Sequence, residues 1–266
     1  MSDLSWLSRT HLMVGDTGIN RLQAAHVLVV GLGGVGSFAA EFICRAGVGT
    51  MTIVDGDVVD PSNRNRQLPA LATTHGQSKA DIMAERLLAI NPDLKLHVVK
   101  AFLTPEAAEQ ITEQPYNYIV DAIDSLTPKL NLLAAAHRRG QQIVSSMGAG
   151  GKVDPTQIRV TDICLTSVCP LALQVRKRLR RMGITGGFMA VYSPENVMRE
   201  SLMLTDGANY KKSAFGTISY LPAAFGGVCA SVVIRELLGY PVEREDKQHG
   251  AWREASKRKR QRQRAK

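Results

Sequence analysis

A Rossmann-like α/β fold with a doubly wound, mostly parallel sheet follows from three features of this chain. Short apolar runs alternate with amphipathic stretches of helical period through the first half. The first run, "HVLVVG", enters a turn holding four glycines in six positions, Gly31, Gly33, Gly34 and Gly36. The second, "TMTIVDGD", ends on acids. Strands that alternate with helices need crossover connections, which make the sheet parallel and cover both of its faces.

The elements follow in order. "HVLVVG" reads as a buried strand, "GSFAAEFICRAG" as a helix starting on the glycines, and "TMTIVDGD" as a second strand. "SKADIMAERLLAINP" carries Ile82, Met83, Leu87, Leu88 and Ile90 at helical spacing and is stopped by Asn91-Pro92. "KLHVVKAF" is a third strand, "TPEAAEQITEQ" a capped helix with Pro105 near its first turn, and "YNYIVDAID" a fourth strand. "LTPKLNLLAAAHRRG" is a helix and "QQIVSSMGA" a strand. From Gly151 to about Ser213 the period weakens while Gly, Pro and Thr rise, which predicts an irregular or small mixed lobe over the sheet. Phe215–Ile234 has no charge over twenty residues, the length of a membrane span. Its Gly, Pro, Ser and Tyr residues favour a buried strand-turn-helix instead.

Composition narrows the class. Of 266 residues 44% are hydrophobic, so the chain is globular and not disordered. The four cysteines are unevenly spaced and "MSDLSWLSRTHL" lacks a basic segment followed by an apolar run, so reduced thiols in a cytoplasm are expected. The charge is uneven. Residues 252–266 hold eight Lys or Arg and one Glu, hence +7 of the net +9, and the other 251 residues carry only +2. A second cluster, Arg176, Lys177, Arg178, Arg180 and Arg181, lies on a predicted helix. Two basic clusters point to a polyanion, nucleic acid first, against the plainer reading of a solvated helix face and a solubilising tail.

After a strand, Gly31, Gly33 and Gly36 supply the tight turn, the close approach of backbone to phosphate, and close helix packing. The N–H groups of the following helix then face phosphate oxygens. Asp55, nineteen residues beyond Gly36, stands where an acid holds ribose hydroxyls. A nicotinamide dehydrogenase fits these residues as well as an ATP-using enzyme does. The next loop separates the two. "DGDVVDPSNRNRQL" places Asp57, Asn63, Arg64, Arg66 and Gln67 just beyond Asp55, and Lys79 follows on the next helix. A nicotinamide slot gains little from several cations, whereas a triphosphate carries about four negative charges and its cleavage needs cations on the leaving pyrophosphate. Arg66 and Lys79 are placed for that role. Asp124, at the carboxyl edge of another strand, is most simply a magnesium ligand. Singly these residues would read as surface charges and a helix cap; in this order after this turn they read as a site.

The segments "GLGGVGS", "VDGD", "NRNRQ", "GQSKA" and "DAIDS" resemble the adenylating core of the ubiquitin-activating-enzyme-like superfamily, which includes the activators of sulfur-carrier proteins. The resemblance covers nearly the whole chain, beginning with "RTHLMVG" at Arg9. It implies that a substrate carboxylate attacks the α-phosphate of ATP to give an acyl-adenylate and pyrophosphate. It also implies that Gly34 and Asp55 bind the nucleotide, while Ser62, Asn63, Arg64, Asn65 and Arg66 form a polar, cationic loop. Lys79 would meet the phosphates, and Asp124, followed by Ser125, would meet Mg2+, with a monovalent cation compatible. Arg9 resembles an arginine contributed across a homodimer interface.

Sulfur-carrier activators carry two Cys-x-x-Cys pairs for a structural zinc. This chain has none, and Cys164 and Cys169 have no second pair, so no zinc is expected. "GGKVDPTQIRVTDICLTSVCPLALQVRKRLRRMGI", "VYSPENV" and "FGTISYLPAAFG" are instead similar to the tRNA threonylcarbamoyladenosine dehydratases. That resemblance implies a tRNA partner, a carboxylate borne on a modified adenosine, cyclisation with net loss of water, and a sulfur-transfer system nearby. The basic residues, with Lys257, Arg258, Lys259 and Arg260 of the tail, would then contact tRNA. Two departures stand out: Cys169 where the family tends to carry Asp, and Lys211, Lys212 and Ser213 where some members carry cysteine. The alternatives are a zinc-free sulfur-carrier adenylyltransferase and a nucleotide-binding scaffold without turnover. The expected division is one adenylating unit over 1–251, with a nucleotide-binding part at about 20–150 and a substrate-covering lobe at 151–251. A basic, disordered tail over 252–266 would follow, and no membrane association is expected.

Overall fold

The computed structural model describes residues 4–204, 213–240 and 242. Seven strands form the main sheet in the order β3-β2-β1-β4-β5-β7-β6. They are β1 (His26–Val30), β2 (Thr50–Val54), β3 (Lys95–Val99), β4 (Tyr118–Asp121), β5 (Ile143–Ser146), β6 (Arg159–Asp162) and β7 (Met189–Tyr192). Every pairing is parallel except β6 with β7. The helices are α1 (Ser8–Ala24), α2 (Gly36–Arg45), α3 (Lys79–Ile90), α4 (Pro105–Ile111), α5 (Leu126–Arg138), α6 (Pro170–Arg181) and α7 (Tyr220–Leu238). β1 and β4 are neighbours although two strands intervene in sequence, so the winding reverses between them. A crevice for ligands opens outside the carboxyl ends of strands at such a point.

The local reasons are legible. β1, β4 and β5 are buried along nearly their whole length, as strands covered on both faces must be. Thr104 caps α4 by accepting from Ala107 N at 3.2 Å, and Pro105 opens that helix without losing a bond. α1 is two helices joined at Gly15, whose φ of 64° breaks the ladder.

One expectation changes, and the reading of the charge-free stretch as a buried strand-turn-helix holds. The region from Gly151 onward is not only a lobe over the sheet, because β6 and β7 extend the sheet itself and α6 packs against α5. β7 is only "MAVY", too short to declare a period before its partner is known. A second two-stranded sheet, β8 (Leu202–Leu204) with β9 (Ser213–Phe215), makes up the irregular part. The charge-free stretch from Phe215 becomes the end of β9, a turn and α7. α7 is long and apolar enough to cross a membrane, but it packs against α1, α2 and strands β4, β5 and β7. Gly226 permits this: a Cβ there would lie 2.5 Å from Val35 O, so only glycine lets α7 approach the start of α2.

Candidate active site

The glycine turn sits at the β1 exit. Gly31 has φ +88°, and a Cβ on it would stand 2.9 Å from Ala122 O, at the exit of β4. A Cβ on Gly36 would overlap Gly31 O at 1.7 Å, so the turn closes only with glycine at both ends. A Cβ on Gly34 would meet Pro222 of α7 at 2.9 Å. Gly33 differs. A Cβ there would make only ordinary contact with the Gln67 amide, 3.7 Å away, so the protein itself does not require glycine at this position. Ser37 Oγ donates to Gly33 O at 2.6 Å and braces the turn from behind.

Asp55 ties β2 to that turn. Its Oδ2 accepts from Leu32 N at 2.6 Å and its Oδ1 from Asp57 N at 2.7 Å, while burial holds its carboxyl above the usual range. The loop that follows closes on itself. Val59 N donates to Gln77 O, Gly76 N to Val59 O, and Lys79 N to Asp57 O at 3.1 Å. This brings Lys79, the first residue of α3, back to the end of β2. Its side chain is 6% exposed and its Nζ lies 3.1 Å from Asp57 Oδ2.

Within the loop, Asp60 and Asn63 cap a short 3-10 turn reciprocally, and Ser62 Oγ donates to Asp60 at 2.6 Å. Ser62 and Asn63 are thereby structural as well as near the site. Arg64 is exposed. Asn65 Nδ2 donates to Thr217 O at 2.8 Å, linking the loop to the chain just before α7. Arg66 donates to Ser62 O at 2.9 Å and to Asn65 Oδ1 at 2.8 Å. Burial lowers the pKa of Arg66, and the charge of the Asp124 carboxylate opposes that shift. Gln67 Oε1 is buried with no hydrogen-bond partner, and the same amide's Nε2 lies nearest the Cβ position of Gly33. A buried acceptor without a donor is costly, and a bound polar ligand would satisfy it. Asp124 is exposed at the β4 exit, and Ser125, not Asp124, holds the N-cap position of α5.

Other predicted residues lie apart. Arg9 is exposed on α1. On α6, Lys177, Arg178, Arg180 and Arg181 are exposed, but Arg176 folds back and donates to Thr166 O at 2.7 Å and to the Thr166 hydroxyl. Lys211, Lys212, Lys257, Arg258, Lys259 and Arg260 lie outside the described residues. Cys44 and Cys229 are buried thiols, each pushed up to about 12 by burial, and so are poor nucleophiles.

The sequence matches the ThiF family over residues 7–266. The chain belongs to the ThiF family. This ThiF-family chain is 38% identical to the tRNA threonylcarbamoyladenosine dehydratase of Bacillus subtilis (strain 168) over 242 residues, 88% of the chain and 95% of that protein. Among solved structures, the E. coli tRNA N6-threonylcarbamoyladenosine dehydratase in complex with ATP superposes at TM-score 0.80 and 37% identity. Its complex with AMP gives the same values, and in each case 90% of this chain and 96% of the other are covered.

Sequence reasoning about this ThiF-family chain missed two buried lysines, one at the β4 exit and one beyond the exits of β5 and β7. Lys129 is paired with Asp121, and Lys152 donates to Gly148 O at 3.0 Å and Ser193 O at 2.9 Å. Lysines in polar segments read as surface charge, so no signal in one sequence marks them as buried.

Proposed function

We propose that this chain is an ATP-dependent tRNA threonylcarbamoyladenosine dehydratase. The observation that carries the reading is the glycine turn at the β1 exit, tied through Leu32 N to Asp55 and through Gly34 to the Arg66 backbone, with the Lys79 ammonium and the Asp124 carboxylate each acting on a member of this group. Such a site takes a nucleotide on backbone N–H groups and supplies cations where pyrophosphate departs. The substrate carboxylate attacks the α-phosphorus, the bond to the β-phosphate oxygen breaks, and the carboxyl becomes an acyl-adenylate. The neighbouring carbamoyl group then closes on the activated carbonyl and AMP leaves. The nucleophile of this second step belongs to the substrate, so no cysteine is required.

Asp124 would hold Mg2+ together with phosphate oxygens, because no three His, Cys, Asp or Glu side chains converge among the described residues. Bound Mg2+ would neutralise charge on the phosphates. The exposed cations of α6 and the tail beyond 251 would track the tRNA backbone. Exposed Arg9 would reach a second copy of the chain in a homodimer. The chain would work in the cytoplasm as one adenylating unit over 1–251, with nucleotide contacts from about 20–150 and the rest covering the substrate.

ATP–pyrophosphate exchange is the test. Exchange that depends on threonylcarbamoylated tRNA is expected. Exchange that depends instead on a carrier protein ending in Gly-Gly would overturn the substrate, and no exchange with either would overturn turnover itself.

A further inference from the structure

Beneath the turn that carries Asp124 lies an ion pair that the proposed chemistry does not use. Lys129 Nζ stands 2.6 Å from Asp121 Oδ2, and both side chains are 0% exposed. Lys129 occupies the first turn of α5, and its ammonium also donates to Ser145 Oγ at 3.2 Å and to Ser146 O at 2.9 Å. Its three protons thus have three acceptors. Ser145 Oγ in turn donates to Asp121 Oδ2 at 2.5 Å. The other carboxylate oxygen, Oδ1, accepts from Ile123 N at 3.1 Å, one residue before Asp124.

Stability does not explain this arrangement. Two charges removed from water recover their desolvation cost only with excellent geometry, and an apolar pair of similar volume is often as stable or more so. What an apolar pair cannot do is accept the Ile123 N–H or link the β4 exit to the β5 exit. The location makes that link matter. Ala122 N donates to Val30 O at 2.9 Å, and Ala122 O crowds Gly31, so the segment from Asp121 to Ile123 is locked to the glycine turn. Asp124 follows directly and is exposed at the β4 exit.

From this geometry we infer that Asp121 and Lys129 are positioning residues for Asp124. The buried pair holds the turn in one conformation, and the Asp124 carboxylate therefore meets its cation at a set place over the crevice. The inference rests on the adenylation reading given above.

The experiment uses the full-length chain, with amide exchange read by mass spectrometry over residues 122–126 and the Mg2+ dependence of ATP binding read by calorimetry. Asp121→Leu with Lys129→Met removes both charges and the acceptor for Ile123. It should speed exchange in that segment while the sheet core stays protected, and weaken the Mg2+ dependence by about tenfold or more, the scale of losing support behind a metal ligand. Asp121→Asn with Lys129→Gln keeps an acceptor for Ile123 and should recover most of both. Should the apolar pair fail to fold, Ser145→Ala carries the test, with local exchange about fivefold faster or more expected for the two lost hydrogen bonds, one from Lys129 and one to Asp121. Exchange and Mg2+ dependence like the parent's in these variants would overturn the positioning role. A parent-like Mg2+ dependence in Asp124→Ala would instead overturn the metal assignment on which the inference rests.

Discussion

Glycine does two different jobs in one turn, and single substitutions separate them. A Cβ at Gly36 would strike Gly31 O, so Gly36→Ala should lose stability outright. At Gly33 a Cβ would meet the protein only in ordinary contact, so Gly33→Ala should fold normally, within about 0.5 kcal/mol of the parent. Its methyl would occupy the space assigned to phosphate, so ATP affinity should fall about tenfold or more, a change of about 1.4 kcal/mol. Thermal unfolding with calorimetry checks both, and normal ATP binding by Gly33→Ala would place the phosphates elsewhere. Lys79 and Arg66 make a second pair. Lys79→Ala and Arg66→Ala should lower single-turnover rates on modified tRNA by about 10²–10³-fold while weakening ATP binding far less, because each cation acts most on charge that develops as pyrophosphate leaves. Equal losses in binding and rate would assign them to ground-state binding.

The strands carry a pH dependence of their own. His26 opens β1, with its Nε2 2.9 Å from Thr52 Oγ1 of β2 and its ring 5.8 Å from that of His97 on β3. Burial lowers its pKa, and His97 adds to the shift. The sign follows by linkage. The unfolded chain binds a proton on this residue near pH 6.5 while the folded chain resists it, so stability is full above that pH and declines as pH falls towards the lowered folded value. His26→Gln should flatten the decline between pH 6.5 and 5 in denaturant titrations; an unchanged slope would locate the acid sensitivity in another group. On α6, Arg176 turns away from the exposed cations of its cluster and bonds to Thr166. Arg176→Ala should therefore cost stability. Neutralising exposed Arg178 and Arg180 should leave stability unchanged and weaken tRNA binding.

At the scale of the complete chain, tRNA affinity should depend on salt through two basic regions of different character. Deleting 252–266 removes eight cations, and each lost phosphate contact reduces the counterions released on binding. A drop of about three to five contacts, read as a shallower slope of log K against log salt, is expected without change in ATP affinity. An unaltered slope would make the tail a solubilising appendage. The +2 balance of the other 251 residues means that α6 supplies a local patch and not part of a general field.

The strand-helix alternation, the glycine turn and the charged loop after Asp55 were all readable from residues alone, because each rests on local rules of period, turn geometry and charge. For the same reason the glycine turn after β1 could be read from the sequence as a candidate nucleotide site. Three things were settled by folding. β6 and β7 join the main sheet, because four-residue strands such as "MAVY" have no period until a neighbour supplies their hydrogen bonds. The charge-free stretch after Phe215 became a core helix, because glycine at Gly226 lets it press against α2, a contact without any sequence neighbour. Lys129 and Lys152 became buried, because their acceptors, Asp121, Ser146, Gly148 and Ser193, are brought together from the exits of three adjacent strands. Local chemistry announces which residues can act; how firmly they are held depends on partners distant in the chain.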